Sequence, residues 1–198
     1  AAACSTPFAI ALRSLQREII RKDPAWADGN YPLDHGPITG IRLARKLGMI
    51  TYRSAQEWQV RFGRERATQE RKPGDPFGMD FEVEEYLESH AIKFTGQFDP
   101  NAYLYLSRAM DLFDLADHGD GSVSEALRRF KVKRALIIGV ETDLLFPIDQ
   151  QQELAEGLKA PERHVEFARL PSLQGHDSFL VDMDRFRPVI GDFLRAGT

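Results

Sequence analysis

The chain carries a single cysteine, Cys4, among its 198 residues, which excludes an internal disulfide and a thiolate zinc site. It has no apolar run of membrane-spanning length and no charged stretch leading into an apolar one, so neither a spanning helix nor a secretory leader is expected. Net charge is also small, because 26 Lys and Arg stand against 30 Asp and Glu to give −4. The basic residues are scattered, which argues against phosphate-backbone binding and so against nucleic acid as a partner. There are no internal repeats and no low-complexity tract. Of the five histidines, His35, His90, His118 and His164 lack ligand-like spacing with one another or with acidic residues, and no metal is expected. What is present, 42% hydrophobic and 28% charged residues, suits a globular chain of one domain with a real core. With one cysteine and no membrane segment, a cytoplasmic location is expected.

Hydrophobic periodicity divides the chain near Phe130: helical before it, alternating strand and helix after it. Thr6 and Pro7 read as an N-cap and first helical residue, with Phe8, Leu12, Leu15 and Ile19 on one face until Asp23-Pro24. Trp26 to Pro37 is a loop by composition. Further helices are expected through Ile38 to Leu47, from Ser54 with Glu57 at capping-box spacing, from Phe81 to about His90, and after Asp99-Pro100. The last of these is expected to bury Tyr103, Leu106, Met110 and Phe113. Arg61 to Asp80, charged and holding Pro73, Gly74, Pro76 and Gly78, reads as an exposed connection. Ser122 and Glu125 offer a second capping box. Ala135 to Val140 has the continuous apolar texture of a strand buried on both faces of a parallel sheet. A helix from Gln150 to Leu158, a strand from His164 to Leu170, and a closing helix from Asp184 to Leu194 with Phe186, Ile190 and Phe193 inward complete a β-α-β-α series, whose strands must be parallel.

In such sheets the reactive groups gather at the carboxyl ends of the strands. Two segments fall there: Val140 to Pro147, containing Asp143, and Gln174 to Phe179, containing His176. Asp143 precedes His176 by 33 residues, room for one helix and one strand, so the two loops are expected to be neighbours. A carboxylate on one imidazole nitrogen sets the tautomer and leaves the other nitrogen to take a proton. The two residues follow the order of the acid and the base in an α/β-hydrolase triad, and Gly175 suits the tight turn before the histidine. The same residues also fit a plainer role, since Gly-His-Asp after a strand often serves only to cap the next helix.

Five blocks take the argument further: Ile50-Thr51-Tyr52-Arg53-Ser54, Arg61-Phe62-Gly63-Arg64, Phe98-Asp99-Pro100-Asn101-Ala102-Tyr103-Leu104-Tyr105, Asp143-Leu144-Leu145-Phe146-Pro147, and Gly175-His176-Asp177-Ser178-Phe179-Leu180. In this order and spacing, over essentially the whole chain, the sequence resembles the homoserine O-acetyltransferases and the serine and homoserine O-succinyltransferases, which have the α/β-hydrolase fold. The wording around Ile138 to Asp143 and Gln150-Gln151-Gln152 is closer to the serine-acylating branch.

The resemblance implies residues 1–24 as a core helix after an upstream strand, residues 25–130 as a helical cap, and residues 131–198 as the C-terminal β-α-β-α part of an α/β-hydrolase core. It implies two-step transfer of an acetyl or succinyl group from acyl-coenzyme A, as co-substrate and with no bound cofactor, to the hydroxyl of L-homoserine or L-serine, in methionine or cysteine biosynthesis. It carries over Asp143 as the orienting acid, His176 as general base, Arg53 as holder of the amino-acid carboxylate and Asp177 as holder of its ammonium group, and it implies a homodimer through cap helices. Unaided, the spacing of Arg53 and Glu57 offers only a surface ion pair. No G-x-S-x-G elbow occurs in the chain, so the nucleophilic serine, the oxyanion hole and the first core strands are expected before Ala1. Two other readings stand beside this one: an esterase or thioesterase of the same fold, and a non-catalytic assembly module.

Overall fold

In a computed structural model, which describes residues 2–32, 35–68 and 75–197, nine α-helices, three short 3-10 helices and two strands form among the described residues. Residues 33–34 of the expected Trp26–Pro37 loop, and residues 69–74 of the charged connection with Pro73 and Gly74, lie outside them. The helices are α1 (Pro7–Lys22), α2 (Ile38–Tyr52), α3 (Ala55–Phe62), α4 (Glu82–Phe94), α5 (Pro100–Leu112), α6 (Val123–Arg128), α7 (Ile148–Leu158), α8 (Ser178–Val181) and α9 (Met183–Arg195); the strands are β1 (Arg134–Val140) and β2 (His164–Leu170). None of the helices is long and apolar enough to cross a membrane. The fold divides into two compact units: residues 1–10, 51–54 and 110–198 in one, 11–50 and 55–109 in the other.

The first unit is organised by its sheet. β1 and β2 pair in parallel from Arg134 opposite His164 to Val140 opposite Leu170. Side chains alternate across the strand, and each face meets a helix. Val140 and Leu170 pack with Phe186 of α9, joined by Ile138, Met183 and Val189. On the other face, a side chain at Gly139 would come within 3.0–3.2 Å of Ile148 and Gln151 of α7. Burial on both faces, expected for the whole apolar run, is reached only at Gly139 and Val140, and the rest of β1 is half-buried. Among the described residues the sheet has two strands, so β1 has a neighbour on one edge only.

Residues 110–130, expected with the helical layer, cluster with the sheet. The reason is a second core in which Ala126 and Leu127 of α6 pack with Ala3, Leu115, Leu154 and Leu158. Ser122 caps α6 as its sequence suggests, its hydroxyl accepting from the amide of Glu125 at 3.3 Å.

In the second unit α1 and α2 lie in close contact. A side chain at Gly40 would meet the Cα of Ile20 at 2.9 Å, so a glycine is required there. Ile20, Ile41 and Ala44 form the core, with Trp26, Phe94, Tyr103 and Leu104 against it. Thr6 accepts from the amide of Ala9, as an N-cap does. The buried arc of α1, however, runs through Ala9, Gln16 and Ile20, while Phe8 and Leu15 are exposed. Apolar residues occur around so much of this helix that periodicity allows two faces, and the small residues of α2 select one. In α5 the same selection favours Tyr103 and Leu104, leaving Leu106, Met110 and the following Phe113 exposed. In α9 Val189 packs against the Phe186 core and Ile190 is exposed.

Leu127 is 2% exposed. Leu127→Ala should lower unfolding free energy by roughly 2–4 kcal/mol through lost transfer energy and the cavity left behind. The denaturant midpoint measures this, and a shift under about 0.5 kcal/mol would remove the α6–α7 contact from the account of stability.

Candidate active site

Beyond Val140 the ladder continues for one more bond, from the amide of Glu141 to the carbonyl of Leu170 at 3.1 Å. The chain then turns, the amide of Asp143 donating to the carbonyl of Val140 at 3.2 Å. Asp143 divides its carboxylate between two tasks. Oδ1 accepts from the amides of Leu145 and Phe146 at 2.8 and 3.0 Å. Oδ2 lies 2.9 Å from Nδ1 of His176. The amide bonds hold the carboxylate still, so its second oxygen meets the imidazole in one orientation. With Nδ1 engaged, Nε2 is left as the nitrogen able to exchange a proton. The Asp143 side chain is 11% exposed and that of His176 23%. Phe146 and Tyr52 flank the imidazole at ring-centroid distances of 5.1 and 5.9 Å, with Phe179 edge-on at 6.2 Å. Asp143, His176, Phe146 and Phe179 line a cavity of about 360 Å³ with Ile138, Val140, Gln151 and Phe186.

The two loops are tied by a residue that the sequence did not single out as functional. Thr142 Oγ1 donates to the carbonyl of Ser172 at 2.6 Å and accepts from the amide of Gly175 at 3.1 Å. Ser172, fully buried, donates its hydroxyl to Asp182 at 2.6 Å, and Asp182 is paired with Arg185 at 3.0 Å. Ser178, also fully buried, donates to the carbonyl of Gly175 at 2.6 Å. Every group in this set has a partner, the condition under which a buried polar network rigidifies its surroundings. The only hint in the sequence is a hydroxyl residue beside Asp143; its partners lie 30 and 33 positions away.

Gly175 makes the tight turn before His176, with φ at +68°. A Cβ there would sit 2.8 Å from the amide nitrogen of Ser54 and 3.0 Å from the carbonyl oxygen of Tyr52. The turn thus needs glycine for its backbone angle and for the close passage of residues 52–54. Ser54, expected at the cap of α3, donates its hydroxyl to the carbonyl of Leu173, which ties the segment to the histidine loop. This brings in Arg53. Its Nη1 donates to Oε1 of Gln174 at 2.7 Å, and its Nε faces Oδ2 of Asp177 at 3.4 Å. All four residues singled out from the sequence, Arg53, Asp143, His176 and Asp177, therefore lie in one neighbourhood of the first unit.

Other candidates fall away from this neighbourhood. The Cys4 thiol has its pKa raised, first by desolvation and then by the carboxylates of Asp114 and Glu153, which suppresses the thiolate a nucleophile requires. His164 pairs with Glu166 at 2.6 Å, and Nδ1 of His90 bonds the carbonyl of Tyr86 at 3.0 Å. No group of three metal-binding side chains is found among the described residues.

A parallel β-α-β unit with an acid after one strand and its histidine after the next defines part of an α/β-hydrolase-fold protein. Solved structures of this fold match closely: a homoserine O-acetyltransferase from Bacillus anthracis at TM-score 0.83 and 23% identity, over 98% of this chain and 51% of that one, and esterase E22 at 0.79 and 23%, over 98% and 52%. In sequence the chain is 57% identical over 190 residues to a serine O-succinyltransferase of Frateuria aurantia, covering 96% of this chain and 52% of that protein. No family model matches it. In sequence the chain is similar to serine O-succinyltransferases, and it spans about half the length of the curated relatives it matches.

Replacing the Thr142 hydroxyl by a methyl, Thr142→Val, leaves the Gly175 amide and the Ser172 carbonyl short of a partner. It should cost about 1–3 kcal/mol of stability, with Thr142→Ser close to the parent protein. Denaturant melts of both variants test this, and a loss in Thr142→Ser with little or none in Thr142→Val would show that packing of the methyl, not the hydroxyl, matters.

Proposed function

We propose that the complete protein is an acyl-coenzyme A-dependent O-acyltransferase that transfers a succinyl group to the side-chain hydroxyl of L-serine. The bond from Nδ1 of His176 to Asp143, with Arg53 and Asp177 in the same neighbourhood, is the observation that carries the reading. The name of the relatives matched at 57% identity supports serine and succinyl over homoserine and acetyl. With the chain spanning half of those relatives, the acyl-bearing serine is assigned to residues outside it. We place the protein in the cytoplasm, as a homodimer contacting through helices of residues 25–130, in amino-acid biosynthesis; the family resemblance supports these assignments.

In this mechanism the nucleophilic serine attacks the thioester carbonyl while His176 Nε2 takes its proton. The thiol of coenzyme A leaves with that proton, and an acyl-enzyme ester remains. The amino acid then enters with its carboxylate on the Arg53 guanidinium and its ammonium on Asp177. A planar fork and a carboxylate grip the two ends of a small zwitterion, and its hydroxyl is brought to the base on the intervening residue. His176 removes the hydroxyl proton as the oxygen attacks the ester, then returns it to the departing serine. Asp143 stabilises the imidazolium in both halves and keeps the tautomer. A hydrolase of the same fold would use the same pair with water as acceptor, as the likeness to an esterase illustrates.

In the complete protein, Asp143→Asn should reduce transfer by about 10⁴-fold, the scale seen when a triad acid is replaced by its amide, and His176→Ala should remove it. Thiol release from succinyl-coenzyme A, with and without L-serine, reads both; near-normal turnover in either variant would discard the triad. Saturable dependence on L-serine separates transferase from hydrolase. Arg53→Ala should raise KM for the amino acid with a smaller effect on hydrolysis of the donor, and equal loss of both would remove Arg53 from the carboxylate site.

A further inference from the structure

We propose that Gln174 is a specificity-determining residue: as a neutral acceptor it holds the Arg53 guanidinium in place and leaves its positive charge to the carboxylate of an α-amino acid. The inference rests on the acyltransferase reading above. Gln174 accepts from Arg53 Nη1 at 2.7 Å, shorter than the 3.4 Å between Arg53 Nε and Asp177. The neutral contact is therefore the tighter of the two. The Arg53 side chain is 14% exposed, so its partners, more than water, set its orientation. Gln174 itself springs from a fixed main chain. Its amide faces the hydroxyl of fully buried Ser172 at 3.3 Å, and the next residue is the constrained Gly175.

A carboxylate at position 174 would hold a guanidinium more strongly, adding the attraction of an ion pair to a hydrogen bond that the cationic donor already strengthens. It would also change the sign of the site. With Gln174, Arg53 and Asp177 sum to zero in the empty site. An arriving zwitterion exchanges both partners, its ammonium taking Asp177 and its carboxylate taking Arg53, while Gln174 stays as the anchor. With an acid at 174 the same three positions sum to −1, and the substrate carboxylate meets a guanidinium already neutralised by its neighbours. A neutral anchor is thus what a site for a free α-carboxylate requires. An amide or ester of the same amino acid gains nothing from it.

The test measures KM and kcat of the complete protein for L-serine and for L-serine amide with succinyl-coenzyme A, comparing the parent protein with Gln174→Glu and Gln174→Met. Gln174→Glu should raise KM for L-serine by roughly tenfold or more, equivalent to a decade in binding, with kcat changing less. Gln174→Met, neutral and of similar length but without the acceptor, should raise it by a smaller factor. With the amide, a net cation without the carboxylate, the disadvantage of Gln174→Glu relative to Gln174→Met should vanish or reverse. A Glu variant that binds L-serine as well as the Met variant, or better, makes Gln174 a mere holder and overturns the proposal. Equal penalties for the acid and the amide overturn it too. Should Gln174→Glu not fold, as judged by its melting curve, Gln174→Met still decides: an unchanged KM for L-serine refutes the claim. A parent protein that consumes the donor without any dependence on L-serine or L-homoserine fails the functional reading itself, a result distinct from each of these.

Discussion

The parallel register of β1 and β2, with Val140 opposite Leu170, ends both strands at one edge of the sheet, and the loops after them emerge side by side. Asp143 follows its strand by three residues and His176 follows its own by six, close enough for a bond between their side chains. Shifting the register by one residue would exchange the faces of β1. Val140 would then leave the Phe186 core, and Gly139 would no longer be the residue that admits α7. The packing of the two helices and the alignment of Asp143 with His176 are therefore consequences of one register.

Around that pair, neutral groups position the charged ones. The amides of Leu145 and Phe146 fix one oxygen of Asp143, and the Thr142 hydroxyl ties the two strand-end loops. The Gln174 amide anchors Arg53, and the Ser54 hydroxyl anchors the segment that carries it. Each does so without adding a formal charge. The proposed roles, accepting a zwitterion and stabilising an imidazolium, give reason for a site built this way, because every additional fixed charge would favour one step and oppose another.

Much of this was legible in the sequence. The two strands, the helix between them and the closing α9 follow from apolar texture and turn residues, and Asp143 and His176 follow from their places after the strands. Arg53 and Asp177 were legible only through family resemblance, since an arginine at the end of one helix and an aspartate 124 positions later share no local pattern. The contacts of Thr142, Ser172, Gln174 and Ser54 are not legible in the sequence, because they join distant carbonyls, amides and side chains, which periodicity does not encode. The buried faces of α1 and α5 are not legible in the pattern for a related reason. Both helices carry apolar residues over a wide arc; in α1 the close contact at Gly40, and in α5 packing against the core of Ile20, Ile41 and Ala44, decide which part is buried.

The sequence by itself thus determined the elements, their parallel connection and the acid–imidazole character of the Asp143 and His176 pair, because local backbone preference and the order of strand, helix and strand are properties of contiguous residues. Tertiary structure decided which apolar faces are buried, which hydroxyls join the two loops, and that the Arg53 guanidinium rests on a neutral amide. Those outcomes depend on the shape and partners of groups brought together from distant parts of the chain, and hydrogen bonds of fixed length and direction select among arrangements that the hydrophobic pattern leaves equivalent.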